Sequence, residues 1–172
     1  HSDGYGTRPV LSIKMAFYLD AVTEDSGALR VIPGSHRVGE PFADAINERL
    51  KKKGLGFGVS ASDVPAQALP ITPGDIVVFN HSIKHASFGG SERRRMFTMN
   101  FSERYPDDKL QELRDSLANE ARFWIDRIHG EAMIRTASPE RMLHLEQVRE
   151  NDTHLGDIAR ELRKSMKEPA RG

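Results

Sequence analysis

The chain has 172 residues, 38% hydrophobic and 29% charged, a composition typical of a globular protein with one sizeable core. Basic and acidic residues number 25 each, so the formal net charge is zero and neither nucleic acid nor an anionic membrane is an expected partner. The absence of cysteine excludes disulfides, thiol nucleophiles and iron–sulfur clusters, and it fits a cytoplasmic location. No apolar run approaches the ~20 residues of a membrane span.

The first half of the chain begins with strand patterns. Polar and apolar side chains alternate over residues 10–20, which predicts a strand. After a turn-rich segment, residues 28–32 predict a second strand, and the two are expected to form an antiparallel hairpin. A helix is predicted over residues 40–54, ending at Gly54.

A long loop and two further strands follow. Residues 55–75 are rich in Gly, Ser and Pro and predict a loop with short extended pieces, of a length that is unusual unless the loop covers a site. Strands are predicted over 74–82 and 93–103. In the last strand Arg95 shares a face with three apolar residues that are expected to look inward, Phe97, Met99 and Phe101.

Beyond Pro106 the pattern changes to helical spacing. Leucine and other apolar residues recur at that spacing, and Ser138 followed by Pro139 is a helix-start signal. The chain is therefore expected to be mainly β with a helical C-terminal part. We expect a catalytic core at 1–105 and a helical extension at 106–172 packed on it. Because the chain starts without methionine, that core can lack native N-terminal elements.

The sequence offers a metal site made of histidine and carboxylate. His1 and Asp3 form a His-x-Asp pair, and residues i and i+2 of an extended segment point the same way. A further histidine must come from a distant strand, and the candidates are His81, near the end of the strand at 74–82, and His85, just after it. Two histidines and one carboxylate form the facial triad of non-haem Fe(II) oxygenases.

Four segments in order carry a family resemblance: "HSDGYG", "SGALRVIPGSHR", "ITPGDIVVF" and "NHSIKHASFGGSERRRM". Over roughly residues 1–103 the chain resembles the phytanoyl-CoA dioxygenase family of Fe(II)/2-oxoglutarate oxygenases. The resemblance implies a double-stranded β-helix, the cupin-like jelly roll. It also implies that His1, Asp3 and His85 are the catalytic iron ligands, and that His81 does not bind the metal.

The resemblance further implies 2-oxoglutarate as cosubstrate, held at its far carboxylate by an arginine. A guanidinium matches a carboxylate with two parallel hydrogen bonds and stays charged when buried. Arg95 is the predicted partner, because it lies ten residues after His85, close to the family's usual distance, and shares a face with apolar residues. Arg94 is the alternative. Ser87 is expected near the cosubstrate.

The function implied is an Fe(II)/2-oxoglutarate-dependent dioxygenase that uses O2 to hydroxylate a small molecule, with release of succinate and CO2. Asp3 favours hydroxylation, since related halogenases carry a small residue in its place. One alternative is a metal-binding jelly roll without oxygenase activity, a sensor or binding module. Another is a copper site built on a mature N-terminal His1. The substrate and the oligomeric state are left open by the sequence.

Overall fold

The chain forms two compact units, His1–Glu103 and Arg104–Gly172. The structure, a computed structural model, describes residues 1–51, 60–90 and 94–170. No helix in these described ranges is both long enough and apolar enough to cross a membrane.

The first unit contains two antiparallel sheets. Its described residues form β1 (Ser12–Tyr18), β2 (Leu29–Val31), β3 (Gln67–Leu69), β4 (Ile76–Asn80), β5 (His85–Ala86) and β6 (Met96–Ser102). The first sheet has the order β4-β1-β6 and the second β3-β2-β5. The strands predicted at 10–20, 74–82 and 93–103 are confirmed by β1, β4 and β6.

The helix predicted at 40–54 is also found, as α1 (Pro41–Lys51). Its predicted end at Gly54 lies outside the described residues. In the predicted loop at 55–75, the described part contains a short 3-10 helix, Ala61–Asp63, and the strand β3.

The hairpin predicted from β1 and β2 is wrong. Strand β1 pairs with β4 on one side and β6 on the other, while β2 pairs with β3 and β5. Both edges of β1 are therefore occupied by strands distant in sequence. The segment between β1 and β2, which includes a 3-10 turn at Glu24–Ser26, carries the chain from the first sheet to the second.

One face of β1 lies in the core of this unit. Ala16 and Tyr18 are both 2% exposed and belong to a buried cluster with Val22, Ala28 and Ile71. Because side chains alternate along a strand, Ser12 and Lys14 share this face. We call the face that carries Ser12, Lys14, Ala16 and Tyr18 the inner face of β1.

The opposite, outer face of the first sheet carries the larger apolar side chains. Phe97, Met99 and Phe101 of β6 are 50%, 36% and 43% exposed, and Phe97 stacks on Phe17 of β1. The expectation that these β6 residues look inward is therefore wrong. The alternation of a strand determines which residues share a face, but both faces of this strand pair carry apolar residues, so hydrophobicity did not identify the inner one.

The second unit is helical, as predicted. Its described helices are α2 (Leu110–Ala118), α3 (Glu131–Arg135), α4 (Pro139–Leu143), α5 (Glu146–Asn151) and α6 (Leu155–Ser165), with 3-10 helices at Asp107–Lys109 and Asn119–Phe123. The predicted helix start is confirmed, because the Ser138 hydroxyl accepts a hydrogen bond from the Arg141 backbone N–H. Trp124, in the left-handed region at φ 60°, ends the second 3-10 helix.

A buried carboxylate stabilises this helical unit, which gives a first prediction. The side chain of Asp152 is 1% exposed and accepts hydrogen bonds from Arg127 Nε at 2.7 Å and the Ile128 backbone N–H at 2.9 Å. We expect Asp152→Ala to lower the free energy of unfolding by about 2 kcal/mol, since it leaves both donors without their acceptor. Urea denaturation followed by helical circular dichroism measures this.

The matched control is Asp126→Ala, which removes an aspartate that is 67% exposed. A change within about 0.5 kcal/mol is expected for it. Equal effects of the two substitutions would show that Asp152 has no special structural role.

Candidate metal centre

Backbone hydrogen bonds bring the start of the chain beside the turn between β4 and β5. The Asp3 N–H donates to the His81 carbonyl, and the His85 N–H donates to the His1 carbonyl, each at 2.9 Å. His81 in turn donates its own N–H to the carbonyl of Ser12 in β1. Residues far apart in sequence are thereby held side by side by main-chain contacts.

This pairing gathers the three residues predicted as iron ligands. His1, Asp3 and His85 each offer one ligand atom, and these atoms lie within 4.8 Å of one another. His1 Nε2 is 3.4 Å from Asp3 Oδ1, and His85 Nε2 is 3.8 Å from Asp3 Oδ2. Across the described ranges, this is the one group of three or more such residues with that spacing.

His85 is held in an orientation that suits a ligand. Its Nδ1 lies 3.0 Å from the Ile83 carbonyl, which only accepts, so Nδ1 carries the proton and Nε2 has a free lone pair facing Asp3. The side chain is 8% exposed and its ring packs edge-on against Phe79. Burial lowers the pKa of His85, which favours the neutral form that binds metals.

Asp3 is kept ionised by its neighbours. Burial by itself raises the pKa of its carboxyl, but hydrogen bonds from His1 and Lys14, with the charge of Lys14, outweigh burial and hold the pKa well below its usual range. Lys14 Nζ lies 2.6 Å from Asp3 Oδ2. Sequence reasoning did not assign Lys14 to the site, although its place on the polar face of β1 was the available signal.

His81 takes a different position from His85. It is 3% exposed and its side chain is not part of the three-ligand group. Its main chain, through the hydrogen bonds to Asp3 and Ser12, ties the start of the chain to β1. Burial lowers the pKa of His81 to about 4, and the positive charges of Arg8 and Lys14 add to this effect.

The two candidate arginines directly precede β6 and lie on opposite sides of the chain there. The Arg95 side chain is 73% exposed and forms an ion pair with Asp20, with NH2 2.8 Å from Oδ1. By alternation it shares the outer face with Phe97. Arg95 was predicted on the expectation that this face looks inward, and the exposure of its apolar side chains shows that it does not.

Arg94 is one residue before Arg95 and therefore lies on the opposite side of the chain, the side of the inner face. It contacts Ser87, the other residue predicted near the cosubstrate. Its NH1 donates to the Ser87 hydroxyl and, at 2.8 Å, to the Gly27 carbonyl, which also accepts from Ser87 Oγ at 2.8 Å. Gly27 has φ 99°, a conformation that L side chains rarely adopt, so glycine suits this position. The structure thus brings Arg94 and Ser87 together and leaves Arg95 apart from them.

A pocket of about 180 Å³ reaches His1 and His85. It is mostly apolar, and Arg30 and Lys84 are the charged lining residues among those that the structure describes. The Arg30 guanidinium lies over the ring of Phe88, 4.6 Å from its centroid. The pocket is smaller than the roughly 300–1,000 Å³ of sites for drug-sized ligands, so it suits a compact group.

Two histidines and one carboxylate on an antiparallel β framework define a candidate non-haem metal protein. The family model described as "Phytanoyl-CoA dioxygenase (PhyH)" matches residues 1–97, more than half of the chain. The chain therefore belongs to the phytanoyl-CoA dioxygenase family, which places it among the oxygenase-type enzymes. A comparison with curated proteins found no match.

The low pKa of His81 predicts a pH dependence of stability. A histidine whose pKa falls from its ordinary 6.5 to about 4 on folding binds fewer protons in the folded state, so stability is lost as the pH falls from 6.5 towards 4. We expect His81→Phe to reduce the loss of unfolding free energy between pH 7 and pH 5 by about 1–2 kcal/mol. Urea denaturation at both pH values measures it.

The control is His144→Phe, at an exposed position of the helical unit. It measures the effect of exchanging a surface histidine for phenylalanine, against which the effect of His81→Phe is compared. An unchanged slope for His81→Phe would mean that His81 takes up a proton in the folded state as readily as in the unfolded one.

Proposed function

We propose that the chain is an Fe(II)/2-oxoglutarate-dependent dioxygenase that hydroxylates a small molecule. The observation that carries the proposal is the spacing of the ligand atoms of His1, Asp3 and His85, within 4.8 Å of one another. The reaction consumes the substrate, 2-oxoglutarate and O2, and yields the hydroxylated substrate, succinate and CO2. Family membership supports the oxygenase class.

The residues present fit an iron ion. His1 Nε2 and His85 Nε2 lie 3.4 Å and 3.8 Å from the oxygens of Asp3, so the three side chains would be close enough to hold one ion. Imidazole and carboxylate suit Fe(II), and three protein ligands leave coordination positions open. Bound Fe(II) would supply the activation of O2, while the protein holds the ligands and orients 2-oxoglutarate.

Arg94 is the arginine we propose for the far carboxylate of 2-oxoglutarate. It lies just before β6 on the side of the inner face, and its hydrogen-bond partners among the described residues are neutral acceptors, the Ser87 hydroxyl and the Gly27 carbonyl. The dianion 2-oxoglutarate can therefore form an ion pair with this guanidinium. Arg95 already pairs with Asp20 and is largely exposed, so it suits this role less well.

We also propose that the first unit is a double-stranded β-helix, the jelly roll of this enzyme class. In support, the chain passes repeatedly between two antiparallel sheets: β1 lies in the first, β2 and β3 in the second, β4 in the first, β5 in the second and β6 in the first. A jelly roll is wound in this way from two facing sheets.

The test of the proposed function combines metal binding with turnover of the cosubstrate. We expect Asp3→Ala and His85→Ala each to abolish Mn(II) binding in calorimetry, and to lower iron-dependent succinate release from 2-oxoglutarate to below about 1%. Succinate release without the prime substrate suffices, because the uncoupled reaction uses the same centre. His144→Ala, an exposed histidine of the helical unit, is the matched control and should behave as wild type.

Succinate release that survives either ligand substitution would overturn the assignment of the centre. Metal binding that requires these residues without any succinate release would instead favour a metal-binding module that lacks oxygenase activity.

The choice between the arginines gives a separate prediction. We expect Arg94→Ala to raise the KM for 2-oxoglutarate by at least about 30-fold, because it removes a charge-assisted pair with the far carboxylate. Arg95→Ala, one residue along and on the other face, should change that KM less than about threefold. Steady-state succinate release at varied 2-oxoglutarate measures both, and the reverse ranking would assign the role to Arg95.

A further inference from the structure

A lysine lies directly against the candidate metal ligands. Lys14 extends from the inner face of β1, where its strand neighbours are Phe79 and Asn100, and its Nζ is 2.6 Å from Asp3 Oδ2. Both side chains are largely buried, 21% exposed for Lys14 and 24% for Asp3. A pair so shielded from water interacts more strongly than a surface ion pair.

Lys14 contacts the oxygen of Asp3 that also faces His85. Asp3 Oδ1 faces His1 Nε2, whereas Oδ2 faces both Lys14 Nζ and His85 Nε2. A cation that joins Asp3 to His85, the more buried of the two histidines, therefore approaches the same oxygen as the ammonium. Two positive charges on one carboxylate oxygen repel each other.

In the part of the chain that the structure describes, the one ion pair of Lys14 is with Asp3, and its hydrogen bond goes to the same residue. Displacing the ammonium therefore leaves a partly buried charge without its counter-charge. This loss of pairing reduces the free energy available for binding the metal.

Resting on the proposed function, we infer that Lys14 competes with the metal ion for Asp3, so that the metal binds weakly until an anion beside it pairs with the displaced ammonium. The dianion 2-oxoglutarate, bound next to the metal, supplies that charge. Metal and 2-oxoglutarate then bind cooperatively, and each raises the affinity for the other by the same factor. Lys14 is in this sense a positioning residue, because it acts through Asp3.

The experiment is a metal titration of the full chain, freed of metal by a chelator, with and without saturating 2-oxoglutarate. Mn(II) replaces Fe(II), and calorimetry measures the Kd without any turnover. Lys14→Met removes the charge and keeps the length, Lys14→Gln keeps a hydrogen-bond donor without the charge, and Lys14→Arg keeps the charge. Lys109→Met, at an exposed lysine paired with Glu112, is the control.

Without 2-oxoglutarate, we expect Lys14→Met and Lys14→Gln to bind Mn(II) at least about fivefold more tightly than wild type. Lys14→Arg and Lys109→Met should stay within about twofold. With 2-oxoglutarate, the advantage of the two uncharged variants should shrink to less than about twofold. Far-ultraviolet circular dichroism verifies that each variant is folded. If one of the two uncharged variants does not fold, the other still tests the inference.

Equal or weaker Mn(II) binding by the uncharged variants would overturn the competition. An advantage that 2-oxoglutarate leaves unchanged would overturn the role of the anion. Failure of the proposed function looks different, because Mn(II) binding would then be absent from wild type or indifferent to Asp3→Ala.

Discussion

The candidate site depends on main-chain pairing between the start of the chain and the turn that follows β4. Two hydrogen bonds, from the Asp3 N–H to the His81 carbonyl and from the His85 N–H to the His1 carbonyl, fix the relative position of the ligands. Side chains alone do not achieve this, since His1 is 68% exposed. The strands of the first sheet matter to the site because β4 positions this turn and β1 anchors it.

The pairing brings a carboxylate into a partly buried place, where an isolated charge is costly. The protein offsets that cost with donors: His1 on one oxygen of Asp3 and Lys14 on the other. Burial lowers the pKa of His85 and favours its neutral form, although the hydrogen bond to the Ile83 carbonyl acts in the opposite direction. The result is an ionised Asp3 beside a His85 whose neutral form is favoured, with one ammonium that stabilises Asp3 where a cation would bind.

Local patterns in the sequence predicted the strands well and their partners poorly. The alternation at 10–20 and at 93–103 is a property of each segment, and β1 and β6 confirm it. The hairpin of β1 with β2 failed because strand pairing depends on distant segments that compete for the same edges. The helical second half succeeded because helical periodicity and the Ser138 cap are again local signals.

The same difference between local patterns and the long-range arrangement of strands explains why the sequence left two candidate arginines. The spacing from His85 admitted Arg94 and Arg95, and the choice between them was made by assuming that the more apolar face of β6 looks inward. The inner face of a two-sheet enzyme has to carry the polar groups of its site, so polarity there is a sign of function and not of solvent. Lys14 illustrates this on β1, because it lies on the polar face of that strand and reaches Asp3. On β1, the face that reaches the site carries Ala16 and Lys14 beside the buried Tyr18.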